Sequence, residues 1–258
     1  MVWKKTLSNI GRIRKEWNDA AESWVDFVRK GKDYHRDHMN NLAFFDLIGN
    51  VKCMKVLDLA CGEGYNTRIL ARKGAKVIGI DLSERLIELA NQEERKEKLG
   101  ILYYNLDAAD LGDFPSSHFD IVTCFMALQD IQHYEKAISE VARVLKNRSR
   151  FIFSIPHPCF ERIDPPGGLK ISSKREYFGI SRHRVEWNME RLKKPFKTTS
   201  FHRTLTDYFT ALNRNGLLVS ILIEPKPTEE GVLKHPRLRK NFATPESIVI
   251  ESAKIKGE

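Results

Sequence analysis

A short apolar run, Val56-Leu57-Asp58-Leu59, leads into Ala60-Cys61-Gly62-Glu63-Gly64-Tyr65; a helix-length gap later, Val77-Ile78-Gly79-Ile80 closes on Asp81. Strand, glycine turn, helix, and strand ending in a carboxylate form the first half of a nucleotide-binding α/β unit. The glycines let a ligand approach the backbone where a Cβ would collide with it. Asp81, at the tip of the second strand, is placed to accept hydrogen bonds from a ribose diol. Asp58, Asp81 and Asp107 all fall at or near predicted strand ends, and the turn lacks the Lys-Ser/Thr pair of a triphosphate site. That pattern favours a cationic or hydroxyl-rich ligand over a polyphosphate.

The hydrophobic pattern predicts strands over 55–60, 76–81, 101–106, 119–125 and 150–155, alternating with helices over 65–73, 84–98 and 135–146. Such alternation implies an α/β fold with a parallel, doubly wound sheet. Upstream, Trp17, Ala20, Ala21, Trp24, Phe27 and Val28 recur at three- and four-residue steps, so a helix is expected that Gly31 ends. A second should run from near Asp33 to Ile48. After Pro156 the rhythm breaks on prolines and glycines, and 171–201 suits short strands or a β-hairpin over the sheet edge. A helix over 204–214, closed by Asn215-Gly216, and a strand over 217–224 then resume the core. The expected organisation is a helical lid at 1–50, a core of 51–156 with 204–258, and an inserted substrate cap at 157–203. The connection 225–246 is long for a hairpin, and long loops often carry function or stay disordered at the tip.

A chain of 258 residues suits one such domain with an insertion. No run approaches the roughly eighteen apolar residues of a membrane span, and Lys4, Lys5, Arg12, Arg14 and Lys15 interrupt the amino terminus where a signal peptide would be apolar. A cytoplasmic location without membrane association is the expectation. Cysteines at 53, 61, 124 and 159 show no Cys-x-x-Cys pair or histidine pattern, so reduced, mostly buried thiols and no metal are expected. The formal charge of +9 is uneven: residues 51–156 carry fifteen basic and fifteen acidic side chains, 157–203 eleven against five, and 226–245 five against two. The basic excess belongs to the inserted parts and could steer an anionic substrate.

Five segments in order and register carry a resemblance: Asp58-Leu59-Ala60-Cys61-Gly62-Glu63-Gly64, Ile80-Asp81-Leu82-Ser83, Leu106-Asp107-Ala108-Ala109-Asp110-Leu111, Phe119-Asp120-Ile121-Val122, and Glu140-Val141-Ala142-Arg143-Val144-Leu145-Lys146. Over roughly residues 50–156 the chain resembles the class I S-adenosylmethionine-dependent methyltransferases. It departs at Ala60, where many members have glycine, and at Asn147-Arg148-Ser149, where Pro-Gly-Gly is usual.

The resemblance implies a Rossmann-like sheet, mainly parallel, whose last strand at 247–254 is antiparallel, and S-adenosylmethionine as cofactor. It places the backbone around Ala60, Gly62 and Gly64 against the methionine part, with Asp58 anchoring the amino group. It gives the ribose to Asp81, the adenine face to Leu82, the adenine edge to Asp107 and the Ala108 amide, and the wall near the sulfonium to Phe125. Tyr34 and Arg36, on the amino-terminal helix, would approach the cofactor carboxylate. His157, in Ser154-Ile155-Pro156-His157-Pro158-Cys159-Phe160, and His202, in His202-Arg203-Thr204-Leu205-Thr206-Asp207-Tyr208, are the candidate bases, expected to meet at the substrate mouth. Tyr177, Trp187 and Tyr208 are candidate pocket walls, and Gln129, Asp130 and His133 candidate contacts after the fourth strand.

Methyl transfer from a sulfonium is an in-line displacement of an already activated group, so the protein supplies orientation, exclusion of water and, where needed, a base. The expected acceptor is a small molecule, attacked through oxygen, nitrogen or carbon. An NAD-dependent oxidoreductase fares worse: the third glycine is missing, and none of the seven tyrosines is followed four residues on by lysine. RNA methylation would suit the basic excess, yet Cys124-Phe125-Met126-Ala127 stands where a base-amine methyltransferase carries Asn/Asp-Pro-Pro-Tyr/Phe, and no RNA-binding appendage is evident. A cofactor-binding protein without chemistry stays open, because methyl transfer demands no diagnostic residue.

Overall fold

The computed structural model describes residues 9–160, 177–189 and 192–255. The amino-terminal stripe forms α1 (Asn9–Arg29), followed by a π-helical turn at Arg36–Asn40 and α2 (Asn41–Ile48). The core then runs β1 (Lys55–Leu59), α3 (Tyr65–Arg72), β2 (Lys76–Asp81), α4 (Glu84–Glu97), β3 (Leu102–Asn105), β4 (Phe119–Cys124), α5 (Tyr134–Val144) and β5 (Leu145–Pro156). After β5 come a hairpin of β6 (Ser181–Trp187) and β7 (Phe196–His202), then α6 (Leu205–Arg214), β8 (Leu217–Ile223), α7 (Glu229–Lys234) and β9 (Ser247–Lys254).

Seven strands form one sheet in the order β3-β2-β1-β4-β5-β9-β8. Strands β1 to β5 pair in parallel, while β9 is antiparallel to both β5 and β8. Order reverses between β1 and β4, and a ligand crevice opens at such a switch point beyond the carboxyl ends of the strands. One apolar layer joins Leu57, Val122 and Phe153 to Ile138 and Val141 of α5 and Leu212 of α6; the other joins Val56, Ile121 and Ile152 to Phe44, Leu70 and Ala90 of α2, α3 and α4. Ser83 caps α4 by accepting from the Leu86 amide, and Thr204 with Asp207 forms a reciprocal capping box on α6.

Three expectations need correction. Helix α5 stops at Val144 and β5 begins at Leu145, because Arg148 takes φ +63 and the pairing with β4 slips there, so the chain rejoins the sheet early. The 225–246 connection is ordered: Thr228 caps α7 through the Gly231 amide, and a 3₁₀ turn follows at Pro236–Phe242. Of the thiols, Cys124 is buried and Cys61 half-buried, but Cys53 and Cys159 are exposed in turns. The most proline-rich and glycine-rich part of the expected cap lies outside the described residues. No described helix is long and apolar enough to cross a membrane.

Candidate active site

A cavity of about 1580 Å³ lies over the carboxyl ends of β1, β2 and β4, with α1 and the β6–β7 hairpin above it. Pockets for a single drug-sized ligand run to roughly 300–1,000 Å³, so this one has room for two partners. Ile10, Ile13, Trp17 and Trp24 of α1 face it, as do Val185 and Trp187 of the hairpin. Trp24 meets Trp187 edge-on at 5.4 Å, and Trp17 lies 6.5 Å from Phe196, so the two roof elements interlock through aromatic rings. Polar contacts fasten them: Ser23 Oγ donates to the Lys194 carbonyl (2.6 Å) and accepts from its amide (3.0 Å), and Glu16 accepts from the Thr199 amide (2.8 Å).

The floor is acidic. Asp58 is buried and accepts from the hydroxyls of Thr67 (2.6 Å) and Thr123 (2.8 Å), while Asp81 accepts from the amides of Gly62 (2.9 Å) and Ser83 (2.8 Å). Every one of these donors is neutral, and burial pushes both carboxyls up to about 6. The Cys61 thiol is driven well upward as well, first by burial and then by the charges of Asp81, Asp58 and Glu63. Two desolvated carboxylates with no ion-pair partner among the described residues suit a ligand bringing a cation and hydroxyls. S-adenosylmethionine, with its ammonium, sulfonium and ribose diol, meets that requirement.

The turn itself is strained. Ala60 takes φ +51, a left-handed conformation costly for any residue with a Cβ, which explains why glycine is common there. Gly62, at φ +59, faces open space in the cavity. Gly64 does not line the cavity, contrary to expectation: a Cβ there would stand 2.2 Å from the Tyr103 hydroxyl, so its glycine serves packing under the turn. Glu63 between them is buried and held by Arg29 of α1 (2.9 Å) and Arg68 of α3 (3.1 Å), which ties the roof helix to the turn.

Of the other expected cofactor residues, Tyr34, Arg36, Leu82, Asp107, Ala108 and Phe125 all line the cavity. Arg36 stacks 3.8 Å over the Tyr65 ring and pairs with Asp37 at 2.8 Å. Asp107 accepts from the Ala109 amide, and Phe125 stacks on Phe44 at 3.8 Å. Gln129, Asp130, His133 and Trp187 also line it.

The two candidate bases do not. His157 is buried below the rim; its Nδ1 accepts from the Cys159 amide (3.2 Å), so Nε2 carries the proton and donates to Glu224 (3.0 Å). His202 is buried on the hairpin, where Nε2 donates to the Tyr177 carbonyl (3.0 Å). Tyr177 instead accepts from the Leu205 amide through its hydroxyl, and Tyr208 is a core residue packed on Tyr134 and Phe153. What sequence reading missed is the support: Thr67 and Thr123 under Asp58, Tyr65 under Arg36, and Arg203. That arginine is buried, donates to the carbonyls of Leu128 (3.0 Å) and Ile131 (2.6 Å), and so fastens the Gln129–His133 wall to the start of α6.

A glycine turn, strand-end carboxylates and a roofed crevice on a sheet of this order define a class I α/β methyltransferase fold. The family model described as a methyltransferase domain matches residues 57–153. An uncharacterised protein of Haemophilus influenzae is 30% identical over 189 residues, 69% of this chain and 73% of its own. A ubiquinone biosynthesis O-methyltransferase of Methylococcus capsulatus is 30% identical over 146 residues, 57% of this chain and 61% of that protein. An S-adenosylmethionine-dependent methyltransferase from Mesorhizobium loti superposes with a TM-score of 0.68 at 23% identity, covering 82% of this chain and 96% of that one. Residues 57–153 are a methyltransferase domain, and the chain belongs to the S-adenosylmethionine-dependent methyltransferases, whose methyl donor is S-adenosylmethionine.

Proposed function

We propose that this enzyme methylates a small molecule enclosed between the cofactor floor and the roof of α1 and the β6–β7 hairpin. The observation that carries the reading is the cavity: its volume exceeds that of a one-ligand pocket, and it is covered by elements interlocked through Trp24 and Trp187. A roof of this kind suits an acceptor that enters and is shut in; a polynucleotide would need an open face. On this reading residues 1–50 act as the lid and the hairpin as the cap, with Asp58 toward the cofactor ammonium, Asp81 toward the ribose, and Asp107 with Ala108 toward the adenine. Gly62 leaves room for the methionine part, while Tyr34 and Arg36 close over its carboxylate. The bound donor supplies an activated methyl group; the chain's part is to orient both partners and exclude water. Arg237, which lines the cavity outside any described ion pair, supports an acceptor with an anionic group. Similarity to ubiquinone biosynthesis O-methyltransferases supports oxygen as the methylated atom.

A metabolite extract incubated with isotope-labelled methyl donor and read by mass spectrometry tests this. The expected outcome is a labelled small molecule; label found only in RNA would overturn the reading.

A further inference from the structure

Two described histidines line the cavity, His35 and His133. His133 is exposed at the start of α5, and no described ion pair involves it. His35 has a built environment. Its Nε2 lies 3.3 Å from Glu246 Oε2, and the other oxygen of Glu246 meets Lys240 Nζ at 2.5 Å. The Tyr34 ring covers it at 4.5 Å and itself stacks on His235. Ser247, next to Glu246, donates to Asn40 Oδ1 at 2.6 Å, which pins the segment carrying His35 to the start of β9. With 31% of its side chain exposed, the imidazole remains open to the cavity.

Position decides what such a group could touch. Ser247 opens β9 and pairs with Pro156 at the carboxyl end of β5, so Glu246 and His35 sit over that end of the sheet, in the cavity that Phe125 at the end of β4 also lines. The carboxylates assigned to the cofactor lie at the ends of β1 and β2 and after β3, across the switch point. Tyr34 and Arg36 reach toward the methionine end, and His35 between them faces Glu246 on the β5–β9 side, where an acceptor can meet the methyl group.

We propose that His35, oriented by Glu246, is the general base for a hydroxyl acceptor of the phenol or enol class. This rests on the methyl-transfer reading above. Nε2 is buried without a hydrogen-bond partner, and the Glu246 charge 3.3 Å away favours the proton on that nitrogen, which leaves Nδ1 as the basic site; no described hydrogen bond occupies Nδ1. The acceptor O–H gives its proton to Nδ1, and its oxygen lone pair forms the new O–C bond. The C–S bond breaks and its electrons return to sulfur, leaving a neutral thioether. The positive charge lost by sulfur is carried off as the proton on His35, which then passes to solvent. An amine can attack before losing its proton, and a carboxylate is already ionised, so a pre-attack base selects for hydroxyls. The groups facing His35 are Asp33 on its own segment and Glu246, Lys240 and His235 from the closing loop. Burial, aided by Lys240 and His235, outweighs the two carboxylates and lowers the imidazole below its ordinary value, so it is neutral and able to accept at pH 7. Glu246 is the positioning residue.

The probes are catechol, 4-nitrocatechol and benzylamine, each with labelled S-adenosylmethionine. Wild type should methylate both phenols. At pH 7, His35→Gln should lose about a hundredfold or more on catechol, and far less on 4-nitrocatechol, which ionises unaided. Glu246→Gln should lose less and shift the acid limb of kcat/KM to lower pH, since the imidazolium loses its counter-charge; Glu246→Asp should restore part of both. Equal loss on the two phenols, unchanged catechol turnover in His35→Gln, or a wild type that methylates neither phenol would each overturn the assignment. Methylation of benzylamine alone would do so while leaving the methyltransferase reading intact. Calorimetric binding of S-adenosylhomocysteine separates the two: its absence in wild type would bring down the broader reading.

Discussion

Gly62 and Gly64 share the left-handed region at φ +59 and +80, yet a methyl group at the two positions would meet different things. Gly64→Ala drives a Cβ into the Tyr103 hydroxyl, and overpacking of this kind costs about 1–3 kcal/mol beyond the backbone strain of about 1–2 kcal/mol. Urea unfolding should show that loss, and adding Tyr103→Phe should recover part of it, because the tyrosine hydroxyl is buried without a partner. Gly62→Ala should cost only the backbone strain but weaken S-adenosylhomocysteine binding. A second expectation concerns Asp58 and Asp81. Burial pushes both carboxyls from the ordinary 3.8 up to about 6 in the folded chain, so it holds more protons than the unfolded one and its stability falls as pH rises through that window. A cationic ligand needs them ionised, so cofactor affinity should fall below pH 6 and binding there should release protons. Calorimetry in buffers of different ionisation enthalpy would detect the release; binding without it would detach these carboxylates from the ligand. Both residues were legible because strand-end position is a local property of sequence. His157 was not: its partner Glu224 follows β8, and only the antiparallel return of the chain brings it near.

At the scale of elements, the roof depends on a few contacts between segments far apart in sequence. Ser23→Ala removes the hydroxyl that both donates to and accepts from Lys194. With each bond worth about 0.5–1.5 kcal/mol, hydrogen exchange in 192–200 should quicken about tenfold while amides of β1 and β4 stay protected. Unchanged hairpin exchange would mean that the tryptophan contacts hold the roof alone. The alternating strands and helices could be read from periodicity, and so could the hairpin in outline. The early start of β5 could not, since it depends on the left-handed turn at Arg148, and neither could α7, six residues too short to give a periodic signal. α7 is placed by packing: a Cβ on Gly231 would stand 2.7 Å from His38 Cβ.

For the whole molecule, S-adenosylhomocysteine at about a hundredfold excess over its dissociation constant should stabilise the folded state by about 2.7 kcal/mol. In a chain of this size that raises the melting temperature by about 5–10 °C, whereas NAD and ATP should leave it unchanged. A shift with NAD alone would contradict the donor site. The order of the sheet bears on how the chain is made. β9 lies between β5 and β8 although it is synthesised after both. At about 5–20 residues per second, the ribosome delivers β8, with Leu218, Ile221 and Leu222 outward, before the strand that joins it to the sheet. A nascent chain halted ahead of Ser247 would leave the outer edge of β5 and both edges of β8 unpaired at once, so the interval between β8 and β9 is when this protein would most need a chaperone.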